Sequence, residues 1–133
     1  MKTITVAAAV ILNEQNQLLL VRKRNTHAFM QVGGKLEPNE APEITMQREI
    51  LEEVGSSCVI EQFIGHFETV AANEPDHILV SHLYLVQLDQ APKIAAEIAE
   101  MKWIDLNDSE TQLAPLTREI VIPWCEEYLS TVQ

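Results

Sequence analysis

The segment GGKLEPNEAPEITMQREILEEVG, Gly33 to Gly55, restricts the fold of this chain more than any other. From Ala41 to Val54 it carries a helical period. At roughly 100° per residue, Ile44, Met46, Ile50, Leu51 and Val54 fall on one broad side. Glu49, Glu52 and Glu53 fall together on the other, so the segment reads as an amphipathic helix with a core face and a carboxylate face. Pro42 suits its first turn, and Gly55 suits the left-handed residue just past its end.

Like charges at helical spacing repel by roughly a few tenths of a kcal/mol per pair, yet the segment holds six carboxylates against only two basic residues, Lys35 and Arg48. Two arrangements tolerate this. One is an ordinary solvated acidic face, common on acidic proteins; the other is a hard divalent cation that takes carboxylate and carbonyl oxygens as ligands. Composition by itself favours the former.

The flanking segments are strand-like. ITVAAAVIL and QLLLVRKR read as two strands joined by the polar turn NEQN, and AFMQV as a short apolar strand ending on Gly33-Gly34. Adjacent glycines imply a backbone that turns sharply or approaches a neighbour closely. EQFIGHFETVAA and HILVSHLYLVQL flank the turn signal NEPD as a hairpin; IAAEIAE is helix-prone but short; MKWIDL is a further strand. LAPLTREIVIPWCEEYL has a helical period through Leu116, Ile120, Trp124 and Tyr128, with Pro123 demanding a kink or a helix start near it.

A length of 133 residues suits one domain, 1–133. Nine Lys and Arg against twenty Asp and Glu leave a formal charge of −11, which lacks the broad basic footprint of a protein that binds a nucleic-acid polymer or an anionic membrane. A small anionic ligand then needs local cations or a metal ion. No segment approaches the roughly 20 apolar residues of a membrane span, and MKTITVAAAVIL, whose small residues lie inside the apolar run, reads as a strand rather than a secretory leader. Cys58 and Cys125 have no ligand spacing and read as core residues of a cytoplasmic protein. The four histidines, His27, His66, His77 and His82, show no metal-ligand spacing either.

The spacing of the charged residues is more specific than their number. Gly34, Glu40, the pair Arg48-Glu49, aliphatic Leu51, the pair Glu52-Glu53 and Gly55 recur at the separations of the Nudix box, and the chain resembles that family over a box of residues 34–56. Ser56 stands where the family has an aliphatic residue, and Val32 where many members have proline. The resemblance implies an α/β fold, the Nudix α/β/α sandwich with a mixed central sheet and the box as loop, helix and loop. It also implies Mg²⁺, or Mn²⁺, held by Glu49, Glu52 and Glu53 with a backbone carbonyl at Gly34 or Gly33, these carboxylates being the metal-binding and water-activating groups. Arg48 is the box arginine, implied to pair with Glu49 and Glu40 and to orient them.

Outside the box, Glu97 or Glu100 stands where such enzymes supply a further ligand or base, and Arg22, Lys23, Arg24 and Lys35 are cations placed to steer phosphates; Arg22, Arg24, Lys35 and Glu97 are taken as substrate-binding. GGKLEPNEAP is similar to the MutT-type branch, which implies hydrolysis of a nucleoside triphosphate, oxidised dGTP being the first to try, to the monophosphate and pyrophosphate. Thr117 stands in the region where that branch reads the base with an asparagine. ADP-ribose or another nucleotide sugar is the alternative substrate, and a non-catalytic nucleotide-sensing module the alternative of another class. The expected partner is a small nucleotide, and the expected state a monomer or homodimer.

Overall fold

Strands whose two faces are both apolar need cover on both sides, and the central strand here has that character. The computed structural model describes residues 2–132. Its elements run β1 (Lys2–Val10), β2 (Leu18–Lys23), β3 (Val32–Lys35), α1 (Pro42–Val54), β4 (Cys58–Val70), β5 (His77–Leu88), β6 (Ile98–Ile104) and α2 (Ile122–Val132). Ala7 and Ala9 of β1 share a core with Met46, Ile50 and Val54 of α1, whereas Ala8 and Val10 share one with Leu116, Val121 and Cys125 on the opposite face. The expected α/β/α sandwich is present, its two helices covering the two faces.

The sheet is mixed. Four strands lie in the order β3-β1-β5-β4, with β1 and β5 parallel and the other neighbours antiparallel. The NEPD turn joins β4 and β5 as the predicted hairpin. The β1–β2 hairpin is shorter than its sequence suggests. Beyond the bridge Leu12↔Leu18, β2 leaves β1 and pairs with β6, because both edges of β1 are already occupied by β3 and β5.

Three local expectations are corrected. IAAEIAE is not helical: Ile98 opens β6, whose pairing with β2 overrides the local helix preference. Gly33 and Gly34 make no turn but lie within β3, so the close-approach alternative is the one realised. On α1, Ile44 and Leu51 are exposed while Thr45 and Glu53 are buried, which rotates the buried arc towards the carboxylates.

Both ends of α1 follow their predicted chemistry. Pro42 occupies the first turn, and Gly55, at φ 68°, closes the helix with its N–H on the Leu51 carbonyl. Near the C-terminus the backbone passes through a π-helical turn at Thr117–Val121 before α2. The N–H of Ile122 reaches the Thr117 carbonyl, and Pro123, which has no N–H to give, follows directly. The extra residue moves the fully buried positions from the predicted 120 and 124 to Val121 and Cys125.

Candidate active site

The two glycines of β3 position the acidic face of α1. A side chain on Gly33 would run into the Ala7 carbonyl and Ala8 of the paired strand β1, and one on Gly34 would overlap the Glu49 carboxylate. Bare backbone here lets α1 settle directly over β3. Glu53 then accepts the Gly33 N–H at 3.2 Å, with Lys23 Nζ 3.8 Å from its other oxygen.

The three carboxylates sit in graded environments. The Glu53 side chain is 5% exposed, Glu49 16% and Glu52 53%. Burial, partly offset by Lys23 and reinforced by the Glu49 charge, pushes the Glu53 carboxyl up to about 7. Burial raises Glu49 as well, against the pull of Arg48. Adjacent half-desolvated carboxylates of this kind are poised for a cation or a proton.

Arg48 orders the acidic group. Its Nε and Nη2 form a two-pronged contact with Glu40 at 3.0 and 2.9 Å, and its Nη1 lies 3.5 Å from Glu49 and 3.7 Å from Glu52. The planar fork suits such bidentate recognition, which a lysine would not reproduce. Glu40 also accepts the Thr45 hydroxyl at 2.6 Å and the Glu37 N–H at 3.1 Å. These bonds, the arginine's first, hold its carboxyl down at about 2.

Glu49, Glu52, Glu53, Arg48 and Glu97 line one open cleft of about 630 Å³ together with Lys23, Gly34, Lys35 and Glu74. The structure thus brings Lys35 and Glu97 to the carboxylates. Arg22 and Arg24 do not reach them. Arg22 is engaged by Glu100, at 2.7 Å, and by the Thr26 carbonyl, while Arg24 is exposed and lines neither cavity. Strand alternation explains this: Leu19, Val21 and Lys23 share the α1 side, and Arg22 and Arg24 the other. Lys23 is therefore the strand-end cation of the cleft, and period-2 counting from Leu19 identifies it. Glu100, the alternative to Glu97, is bound to Arg22.

A second cavity of about 340 Å³ adjoins the cleft and is largely apolar, walled by Ile4, Val6, Ala8, Leu79 and the segment Ala114–Thr117. Its buried polar groups are Gln31 and Thr117. The Thr117 hydroxyl donates to Gln31 Oε1 at 2.8 Å, and Gln31 Nε2 donates to the Ala9 carbonyl at 3.1 Å. The hydroxyl proton is thereby committed, so Thr117 offers the cavity lone pairs only. Gln31 is passed over in the sequence reading, although it is the one polar residue in AFMQV. Phe29, Phe67, Tyr84 and Trp103, the aromatics that the sequence offers either for a base-binding pocket or for core packing, line neither cavity; Tyr84 instead lies against Phe63 and Glu43.

Among the described residues no three carboxylate, histidine or cysteine side chains are already gathered around a single point. The donor set nevertheless fits a hard cation: three carboxylates of one helix face and the backbone of Gly34, whose missing Cβ leaves the space that the Glu49 carboxylate occupies.

The NUDIX domain model matches residues 1–125. A relative from Bacillus subtilis (strain 168) is 30% identical over 98 residues, which cover 74% of this chain and 64% of that protein. The 8-oxo-dGTP diphosphatase of Escherichia coli (strain K12) is 29% identical over 126 residues, 92% of this chain and 95% of that one. In three dimensions the MutT NUDIX hydrolase from Burkholderia pseudomallei superposes with a TM-score of 0.77 at 21% identity, covering 92% of this chain and 98% of the other. With the box carboxylates, their arginine and the flanking glycines assembled on this sandwich, the chain belongs to the Nudix hydrolase family and is similar to its MutT-type members.

Proposed function

We propose that residues 1–133 form one domain that hydrolyses a nucleoside triphosphate to the monophosphate and pyrophosphate, with oxidised dGTP the first substrate to test. The observation that carries this reading is the junction of an acidic, lysine-flanked cleft with an apolar cavity across a shared wall. A nucleotide has the matching halves, a polyphosphate and a flat, largely apolar base. The name of the Escherichia coli relative supports the same substrate class.

Glu49, Glu52, Glu53 and the Gly34 carbonyl would hold Mg²⁺ or Mn²⁺. Such an ion, when bound, neutralises phosphate charge and acts as a Lewis acid at phosphoryl oxygens. The chain's own groups do the rest. Lys23 and Lys35 draw the polyphosphate into the cleft, Arg48 keeps the carboxylates in place, and the apolar cavity fixes the base so that the scissile bond lies beside α1. Water oxygen bonds to one of the two phosphorus atoms that flank the α–β bridge, the bridging P–O bond breaks, monophosphate and pyrophosphate separate, and the water proton passes to a box carboxylate. Lys35, Lys23 and Glu97 are assigned to substrate binding on their place in the cleft.

Among the described residues no helix is long and apolar enough to cross a membrane. A reducing cytoplasm, in which both cysteines stay free thiols, and a monomer or homodimer complete the proposal. A product assay, run with Mg²⁺ and again with Mn²⁺, over canonical and oxidised nucleoside triphosphates and ADP-ribose tests the proposal. Pyrophosphate supports it. Phosphosugar plus AMP would move the reading to a nucleotide-sugar substrate, and no turnover with either metal would move it to a sensing module.

A further inference from the structure

The acidic cleft and the apolar cavity share four wall residues: Lys23, Gly34, Lys35 and Glu74. If phosphates lie in the first space and a base in the second, as proposed above, the sugar that joins them crosses this wall. Lys23 and Lys35 carry only donors, and Gly34 has no side chain. Glu74 alone among the four presents side-chain acceptors, and sugar hydroxyls are donors.

We propose that Glu74 is a positioning and specificity residue that binds the sugar hydroxyls and, among the triphosphates proposed above, favours the ribonucleotide over its 2′-deoxy counterpart, so that oxidised GTP is turned over ahead of the oxidised dGTP tested first. A carboxylate has two oxygens and can take both hydroxyls of a vicinal diol; in dinucleotide sites an acidic side chain takes the ribose 2′-hydroxyl. A 2′-deoxy sugar offers one hydroxyl fewer.

The β4–β5 turn holds Glu74 over this wall. The Ala71 N–H donates to the His77 carbonyl and the Lys2 N–H to the Asp76 carbonyl, both at 3.1 Å, which fastens the turn to the hairpin and to β1. Glu74 faces Lys35, with 3.3 Å between Oε1 and Nζ. Both side chains are well exposed, 43% and 64%, so the pair is weakly held and open to exchange. An arriving polyphosphate attracts Lys35 and leaves the carboxylate free for the sugar. The pairing also screens a carboxylate that would otherwise repel phosphate at the entrance.

The test compares GTP with dGTP, and 8-oxo-GTP with 8-oxo-dGTP, in wild type, Glu74→Gln and Glu74→Ala. The expected result is a ribo-to-deoxy ratio of kcat/KM of about tenfold in wild type. It should fall to about one in Glu74→Ala, mainly through the ribonucleotide KM, with an intermediate ratio in Glu74→Gln, whose amide keeps one acceptor. A wild-type ratio near one, or a ratio unmoved by Glu74→Ala, overturns the inference. Calorimetric binding of GMP and dGMP to the same three proteins separates this failure from that of the parent reading. A Glu74-dependent preference for GMP without turnover would leave the sugar contact standing and remove the hydrolase. Turnover without any sugar preference would do the reverse. Absence of both turnover and monophosphate binding overturns both.

Discussion

Glu53 accepts the Gly33 backbone N–H at 3.2 Å, so one of the carboxylates offered to a metal also fastens α1 to β3. Glutamine retains an oxygen for that bond and removes the charge. Glu53→Gln should therefore stay folded, with a thermal midpoint close to that of wild type. Turnover should fall by about 10²-fold or more, the scale of loss when a reacting group is misplaced. Wild-type turnover in this variant would remove Glu53 from the catalytic set, and circular dichroism run alongside would expose a loss due only to misfolding.

The paired glycines separate stability from function. A Cβ on Gly33 meets the backbone of β1, and one on Gly34 meets the end of the Glu49 side chain. Backbone cannot move aside cheaply, whereas a side chain can rotate away. Gly33→Ala should thus cost about 1–3 kcal/mol of stability, as overpacking does, read as a lower urea midpoint. Gly34→Ala should leave that midpoint nearly unchanged but reduce turnover at least about tenfold by displacing Glu49. The opposite pattern would show that Gly34 matters for packing alone.

The acidic helix face was legible because its spacing is local, but its rotation was not. On a wheel of roughly 100° per residue, Glu53 borders the arc of Met46, Ile50 and Val54, while Ile44 and Leu51 lie at its far edge. β3 decides which border is buried: without side chains on Gly33 and Gly34 it draws Glu53 inward and leaves Ile44 and Leu51 in solvent. Of the three cations that end β2, period-2 alternation along the strand, which the sequence contains, sets Lys23 on the α1 side and Arg22 and Arg24 on the other. The start of β6 at Ile98 depends on a partner strand 75 positions earlier, Lys23, and no local propensity reports that. Glu74 gave no signal beyond its turn, because its place over two cavities arises only when the hairpin returns beside β1.

Glu40 gives the pH dependence a sign. Its carboxyl is held down at about 2, against an ordinary 4.5, chiefly by the Arg48 contact. A depressed folded value means that the contribution of Glu40 to stability is complete above about pH 4.5, fades as pH falls towards 2 and is absent below it. The difference in urea midpoint between wild type and Glu40→Gln should follow that course. A difference that is constant from pH 7 to 2 would mean that the ion pair with Arg48 contributes nothing and that only side-chain shape matters.

The Thr117–Gln31 contact joins the C-terminal helical segment to the residue just before β3, within the wall of the apolar cavity. Both side chains are buried. Thr117→Val keeps the shape and removes the hydroxyl, leaving Gln31 Oε1 without its donor, so the expected loss is about 1–3 kcal/mol. Adding Gln31→Leu removes the stranded acceptor, and the double variant should lose less than the sum of the two single losses, a coupling that a double-mutant cycle measures. If the cavity holds the base, Thr117→Val should also raise KM for substrates whose base donates to that hydroxyl while changing kcat little, and Thr117→Ser should restore it. A strictly additive cycle would show that the hydrogen bond has no energetic consequence, and an equal KM change for every base would show that Thr117 supports the cavity without reading its occupant.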